Sequence, residues 1–240
     1  MTLTVIGHRG VALHYPENTR SSILAAIDLG LKWIEVDIQP TRDGVLVVCH
    51  DHTLDRCSNG SGRLDECTLD QLKKLDFGGW FDSQFVGEKL MTLEELLTLI
   101  EPHDLSVNLE VKVDRHDVAN VVALLKTTLE SATAPLGTFP SDRIHFSSFN
   151  HHVMRLLHRE LPSFKRSVLS ERFSPRLLPL LAEVEATGCN LNIELTSKKT
   201  VDTLHQHGYQ VWCYTVNNPN KLRHLKNLNG VFSDAPERFL

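Results

Sequence analysis

Nothing in this chain approaches the roughly 20 consecutive apolar residues a membrane-spanning helix needs, so no stable membrane insertion is expected. Cysteine is scarce: five in 240 residues, an odd number with no CxxC spacing, which argues against a disulfide framework or a thiolate zinc site. Cys49, Cys189 and Cys213 fall in apolar, strand-like runs and read as reduced, buried thiols. A basic excess is also missing. Against 30 acidic side chains stand 25 Lys and Arg, for a net charge of −5, which removes the usual basis for nucleic acid or anionic lipid as a partner. The opening "MTLTVIGHRG" has neither a basic n-region nor a long apolar stretch, so a cytoplasmic location is expected. The first turn, "GHRGVALHYPENT", holds no GxGxxG and no GxxxxGK[ST], and a doubly wound nucleotide-binding sheet loses its usual signature. Repeats, low-complexity tracts and linkers are absent as well.

What is present is an alternation. Apolar strand-like runs are followed almost throughout by helical ones: "LTVIGH" by "NTRSSILAAIDLG", "SVNLEVKV" by "HDVANVVALLKTTLE", "RIHFSSF" by "NHHVMRLLHREL", "QVWCYTV" by "NPNKLRHLKNLN". The strands number eight, near residues 3–7, 33–38, 106–112, 143–147, 165–169, 190–194, 210–216 and 231–233. Eight βα units in a chain that is 41% hydrophobic predict an α/β protein, a (β/α)₈ TIM barrel, with residues 1–240 as one domain. Residues 52–90 break the rhythm. They are rich in Gly, Ser and Asp and carry one short amphipathic piece, "LDQLKKL", so they read as a small insertion after strand 2, a wall or lid at the barrel mouth or a plain surface excursion.

Three strand ends break into ionisable residues. His8 and Arg9 end the first strand, Glu35 and Asp37 the second, Glu110 and Lys112 the third. In "EVDIQPTRDGVLVVCHD", Asp43-Gly44 reads as a two-residue hairpin turn, which makes "VLVVCH" return antiparallel with Asp37 opposite His50. Glu35 shares that face. Gly7 and Gly10 would let the backbone approach a ligand closely. Each piece alone has a structural reading: a hydrogen-bonded histidine, a buried ion-pair network, or Glu110 paired with Lys112. Three strand ends converging on the C-terminal face of one barrel point instead to chemistry. Three carboxylates in close company repel one another, and a hard divalent cation, Mg²⁺ or Ca²⁺, relieves this through oxygen ligands; zinc through His8 or His50 is the alternative. With that cation, Arg9 and Lys112 leave a positive field suited to a phosphate, and two imidazoles can act as general acid and general base.

In order, "GHRG", "YPENT", "EVDIQPTRDGVLVVCHD", "NLEVK", "SSF", "YTVNN" and "GVFSDAPERF" resemble the motif series of the glycerophosphodiester phosphodiesterase family, from the first strand to the last. The resemblance implies a TIM barrel with an insertion after strand 2. It implies hydrolysis of small glycerophosphodiesters, such as glycerophosphocholine or glycerophosphoethanolamine, to sn-glycerol 3-phosphate and an alcohol. By motif it implies His8 and His50 as the acid–base pair, Glu35, Asp37 and Glu110 as ligands of one divalent metal, and Arg9 and Lys112 as phosphate-binding cations. Tyr214 stands where many members have Trp and is expected to line the substrate site. Ser233 and Met91 replace a frequent Thr and Pro. Attack by water and attack by the substrate's own 2-hydroxyl both suit such a site. A barrel acting on intact lipids, or an inactive barrel that only binds a phosphorylated ligand, are the competing readings.

Overall fold

The computed structural model describes residues 3–136, 140–225 and 227–240. Eight parallel strands close on themselves: β1 (Thr4–His8), β2 (Trp33–Pro40), β4 (Ser106–Val111), β5 (Ile144–Ser148), β6 (Lys165–Ser170), β7 (Gly188–Asn192), β8 (Gln210–Tyr214) and β9 (Gly230–Ser233). They pair in that order, and β1 bonds both β2 and β9, so no edge is left. The expected TIM barrel is present. The helices α1 (Arg20–Asp28), α3 (Leu93–Ile100), α4 (Val118–Leu136), α5 (His151–Glu160), α6 (Leu178–Glu183) and α7 (Lys198–Gln206) connect successive strands. After β8 a 3₁₀ segment, Pro219–His224, takes the place of the helix read from "NPNKLRHLKNLN". Pro at its start and the Asn218 side chain on the N–H of Asn220 favour a short, tight turn there.

Period-two alternation builds the interior. Outward residues such as Val36, Ile38, Val107 and Leu109 are buried against the helices. Inward, Ile6, Trp212 and Phe232 form a separate apolar plug, with Trp33 and Tyr214 packed on it. His145 stacks on Trp212 at 5.4 Å in the same layer. Above the plug the inward positions turn polar, and this polar layer is the mouth.

The hairpin after β2 corrects the sequence reading. Strand β3 (Leu46–Val48) is antiparallel to β2, but Ile38 faces Val48, Gln39 faces Val47 and Pro40 faces Leu46, one residue away from the expected pairing. The cause is the turn. Thr41 N–H donates to the Val45 carbonyl and Gly44 N–H to that of Thr41, so three residues make the loop. Gly44 alone is left-handed there, with φ +80°, whereas a two-residue turn of the expected type needs two such residues. Asp43 accepts from Thr41 Oγ1 at 2.6 Å and from the N–H of Leu69 at 3.0 Å, which holds the three-residue loop.

The segment between β3 and α3 carries a short helix, α2 (Leu69–Leu72), closed by a Thr68–Gln71 capping box. Leu54, Leu64, Leu72, Phe77 and Leu90 pack with Val47 and Cys49 into a small core of their own. Glu88 ties this segment to the barrel, accepting from Ser21 N–H at 3.0 Å and Ser21 Oγ at 2.7 Å. No helix among the described residues is long and apolar enough to cross a membrane.

Candidate active site

The strand registers assemble the site. His8 lies beside Glu35 across β1–β2, and Asp37 beside Glu110 across β2–β4. Parallel neighbours at matched positions share a face, so Glu35, Asp37 and Glu110 all point into the mouth. One carboxylate oxygen from each lies within 4.8 Å of the others. His50 arrives by a different route from the expected one. Cys49 N–H bonds the Asp37 carbonyl, the ladder stops there, and the chain bends at His50, so its ring turns into the mouth although it never faces Asp37. Cys49 itself faces the small core of the insertion.

A cavity of about 190 Å³ is lined by His8, Arg9, Glu35, His50, Glu110, Lys112 and Tyr214. Asp37 is buried behind them. Phe149, Leu169 and Phe232 make one side of the cavity apolar. Tyr214 meets Phe149 edge to face at 6.0 Å, and its buried hydroxyl lacks a hydrogen-bond partner among the described residues. All eight residues singled out in the sequence are thus in or directly against one cavity.

Each imidazole is anchored by a carboxylate. His8 Nδ1 lies 2.6 Å from Asp234 Oδ1, and His50 Nδ1 lies 2.7 Å from Asp51 Oδ1. Neither aspartate was singled out in the sequence. Asp51 follows His50 directly, a signal at hand; Asp234 is 226 residues from His8, and only closure of the barrel brings the two together. Asn217 Nδ2 in turn donates to Asp234 Oδ2 at 2.8 Å.

Arg9 adopts the left-handed region, φ 52°. Its N–H donates to Glu35 Oε2 at 3.2 Å, its Nη1 to Glu17 Oε1 at 2.7 Å, and its Nε lies 3.3 Å from Asp37 Oδ2. The flanking glycines serve this turn rather than a ligand. A Cβ on Gly7 would sit 2.4 Å from the Gly10 carbonyl oxygen, and one on Gly10 2.3 Å from Ser22 Oγ, so the space is filled by the protein itself. Arg56, from the insertion, clamps Glu17 and Asp51 with four hydrogen bonds of 2.6 to 3.0 Å. Lys112 Nζ lies 3.3 Å from Glu110 Oε1 and 3.5 Å from Asp37 Oδ1.

The electrostatics follow from these distances. Burial, then the charges of Asp37 and Glu110, push Glu35 well above the ordinary carboxylate range. Burial and Asp37 push Glu110 up to about 7. Burial would raise Asp37 too, but Arg9, Lys112 and His50 outweigh it and hold it down to about 2. Burial lowers the His50 ring, with Asp37 opposing. Three crowded carboxylates, two of them (Glu35 and Glu110) pushed toward retaining their protons and one with a buried oxygen (Glu35 Oε1) that has no hydrogen-bond partner among the described residues, form a donor set that fits a hard divalent cation.

Residues 8–238 match the model of the glycerophosphoryl diester phosphodiesterase family. The chain belongs to this family. It is an enzyme of the phosphoric diester hydrolase class. A glycerophosphodiester phosphodiesterase of Caldanaerobacter subterraneus is 30% identical over 100% of this chain and 97% of its own length. The solved structure of a phosphodiesterase from Oleispira antarctica, in complex with the product sn-glycerol-3-phosphate, has a TM-score of 0.92 and 28% identity over 98% of this chain and 94% of that one. A glycerophosphodiester phosphodiesterase structure from Agrobacterium tumefaciens has a TM-score of 0.80 and 26% identity, with 99% of each chain covered.

Proposed function

We propose that this enzyme hydrolyses small glycerophosphodiesters, such as glycerophosphocholine or glycerophosphoethanolamine, to sn-glycerol 3-phosphate and an alcohol, with His8 and His50 as the proton-transfer pair and Glu35, Asp37 and Glu110 holding one Mg²⁺ or Ca²⁺. The observation that carries this reading is the arrangement of both imidazoles around a single cavity, each with Nδ1 on an aspartate. An imidazole whose Nδ1 proton rests on a carboxylate exchanges its other proton at Nε2. One ring takes the proton of the attacking hydroxyl; the other gives one to the departing alkoxide. Asp234 and Asp51 keep both rings in the tautomer and orientation this requires, as the carboxylate does in other acid–base pairs.

A cation held by Glu35, Asp37 and Glu110 would supply positive charge against the phosphate oxygens. Arg9 and Lys112 add theirs from the same cavity. Tyr214, Phe149 and Phe232 form the apolar side against which the glycerol carbons pack. The product-bound phosphodiesterase of the same fold supports a substrate of this size, and Arg56 of the 52–90 insertion holds Asp51 beside His50.

The test is release of sn-glycerol 3-phosphate from a glycerophosphodiester panel. Excess chelator should stop it, and Mg²⁺ or Ca²⁺ should restore it. His8→Ala and His50→Ala should each lower kcat by about 10² to 10⁴-fold with the fold intact by circular dichroism. Full turnover in chelator would remove the metal from the mechanism.

A further inference from the structure

Beside the phosphate cavity lies a second one of about 310 Å³, and the two share Glu110, Lys112 and Phe149 as a common wall. On the far side stand His52 and Val113. We propose that this second cavity receives the alcohol head group of the diester, and that His52 Nε2 selects head groups that donate a hydrogen bond, an ethanolammonium or a polyol rather than a trimethylammonium. The proposal rests on the phosphodiesterase reading above.

Position supports it first. A phosphodiester bound with its phosphorus among His8, His50, Arg9 and Lys112 has two arms. One occupies the phosphate cavity's apolar side, along Tyr214 and Phe232. The other needs a space reached past Lys112, and the second cavity opens there.

The polarity of that space follows from a chain of hydrogen bonds. Gln39 Nε2 donates to the carbonyls of Cys49 at 2.9 Å and Asp51 at 2.8 Å. Both acceptors are main-chain oxygens, so the orientation of the Gln39 amide is set, and its Oε1 must be the atom that meets His52 Nδ1 at 2.8 Å. An acceptor oxygen there makes Nδ1 the protonated ring nitrogen. The lone pair is then on Nε2, the open atom of a residue that lines the cavity. Burial holds the ring below the ordinary imidazole range, which keeps that acceptor available at neutral pH. On the opposite wall Lys112 and the main-chain donors are turned to other partners. Lys112 is held by Glu110 and Asp37, and the N–H groups of His152 and Val153 at the start of α5 are taken by the Asn150 side chain. On its His52 side the cavity offers a ligand an acceptor, and what answers it is a donor. The residue that fixes the His52 ring, Gln39, also bonds the main chain flanking His50, so the head-group contact is built on the loop that carries His50.

The experiment compares kcat/KM for glycerophosphoethanolamine and glycerophosphocholine in the full-length enzyme and its variants. His52→Leu should lower the ethanolamine-to-choline ratio about tenfold or more, the worth of a hydrogen bond to a charged group. His52→Gln, whose amide can donate to Gln39 and accept from the head group, should stay within about threefold of wild type. A second variant does not depend on His52: Val113→Trp should fill the cavity and lower kcat/KM for glycerophosphoethanolamine about tenfold or more relative to the methyl diester of glycerol phosphate. Inhibition by sn-glycerol 3-phosphate, which has no head group, reports whether the phosphate cavity is intact in each. Unmoved ratios in His52→Leu, or in Val113→Trp, would overturn the subsite while leaving the phosphodiesterase reading in place. Failure of the wild-type enzyme to turn over any diester would overturn that reading, and the subsite with it.

Discussion

His145 shows what one polar residue costs inside a barrel. Its ring is buried, stacked on Trp212 and edge-on to Trp33, with Nε2 2.8 Å from Ser167 Oγ. Burial, with Lys165 and Arg166 adding to it, holds its pKa down to about 3. In the unfolded chain the ring titrates near 6.5. A folded value below the unfolded one means stability that is complete above pH 6.5 and is lost as pH falls toward 3. Each unit in that window costs up to about 1.4 kcal/mol. Urea unfolding of wild type and His145→Gln should therefore converge on acidification. Whatever advantage wild type holds at pH 7.5 should shrink by about 2 kcal/mol at pH 5. A difference independent of pH would mean that water reaches the ring.

At the level of elements, the charged strand ends were legible because a strand buried on both faces has no structural need for ionisable residues. Glu35, Asp37, Glu110, His8 and Lys112 stood out in apolar runs, and parallel register did the rest. The hairpin was legible in kind but not in register. Asp-Gly suits both a two-residue loop and a three-residue loop with glycine at its left-handed end, and the Asp43 contact with Leu69 that selects the latter lies 26 residues away. His50 reached the site regardless, because the ladder ends before it. Least legible was the clamp of Arg56 on Glu17 and Asp51, since it joins the loop after β1 to the segment after β3. Through Glu17 it reaches Arg9, and through Asp51 it reaches His50. One insertion residue therefore positions together Arg9 and His50, the proposed phosphate-binding cation and proton-transfer ring. Arg56→Ala should lower kcat/KM at least about tenfold. Arg56→Lys should recover only part of it, since an ammonium lacks the planar fork that spans two carboxylates. Added guanidinium should restore activity to the alanine variant alone. Wild-type kinetics in Arg56→Ala would show that the clamp is idle.

For the molecule as a whole, proton binding at Glu35 and Glu110 and the proposed metal binding draw on one carboxylate cluster. Without a cation, Glu35 is pushed well above its ordinary range and Glu110 to about 7. Groups raised on folding contribute stability that is fully present below the unfolded value of 4.5 and is lost as pH rises through the folded value, here about 7 for Glu110. A divalent cation reverses the preference, because it requires the deprotonated oxygens. The rise in Tm on adding Mg²⁺ or Ca²⁺ should therefore be small at pH 5 and large at pH 8, whatever the rest of the titration does to absolute stability. Binding at pH 6.5 should release protons, seen as a calorimetric heat that changes with the ionisation enthalpy of the buffer. Glu110→Gln should reduce that release, because it removes a carboxyl that titrates at about 7. A metal-induced shift equal at both pH values would place the cation outside the three-carboxylate cluster. The net charge of −5 cannot substitute for this coupling: it is spread over an ordinary surface and screened within about a Debye length, whereas the cluster is enclosed by the barrel and answers only to ions that enter it.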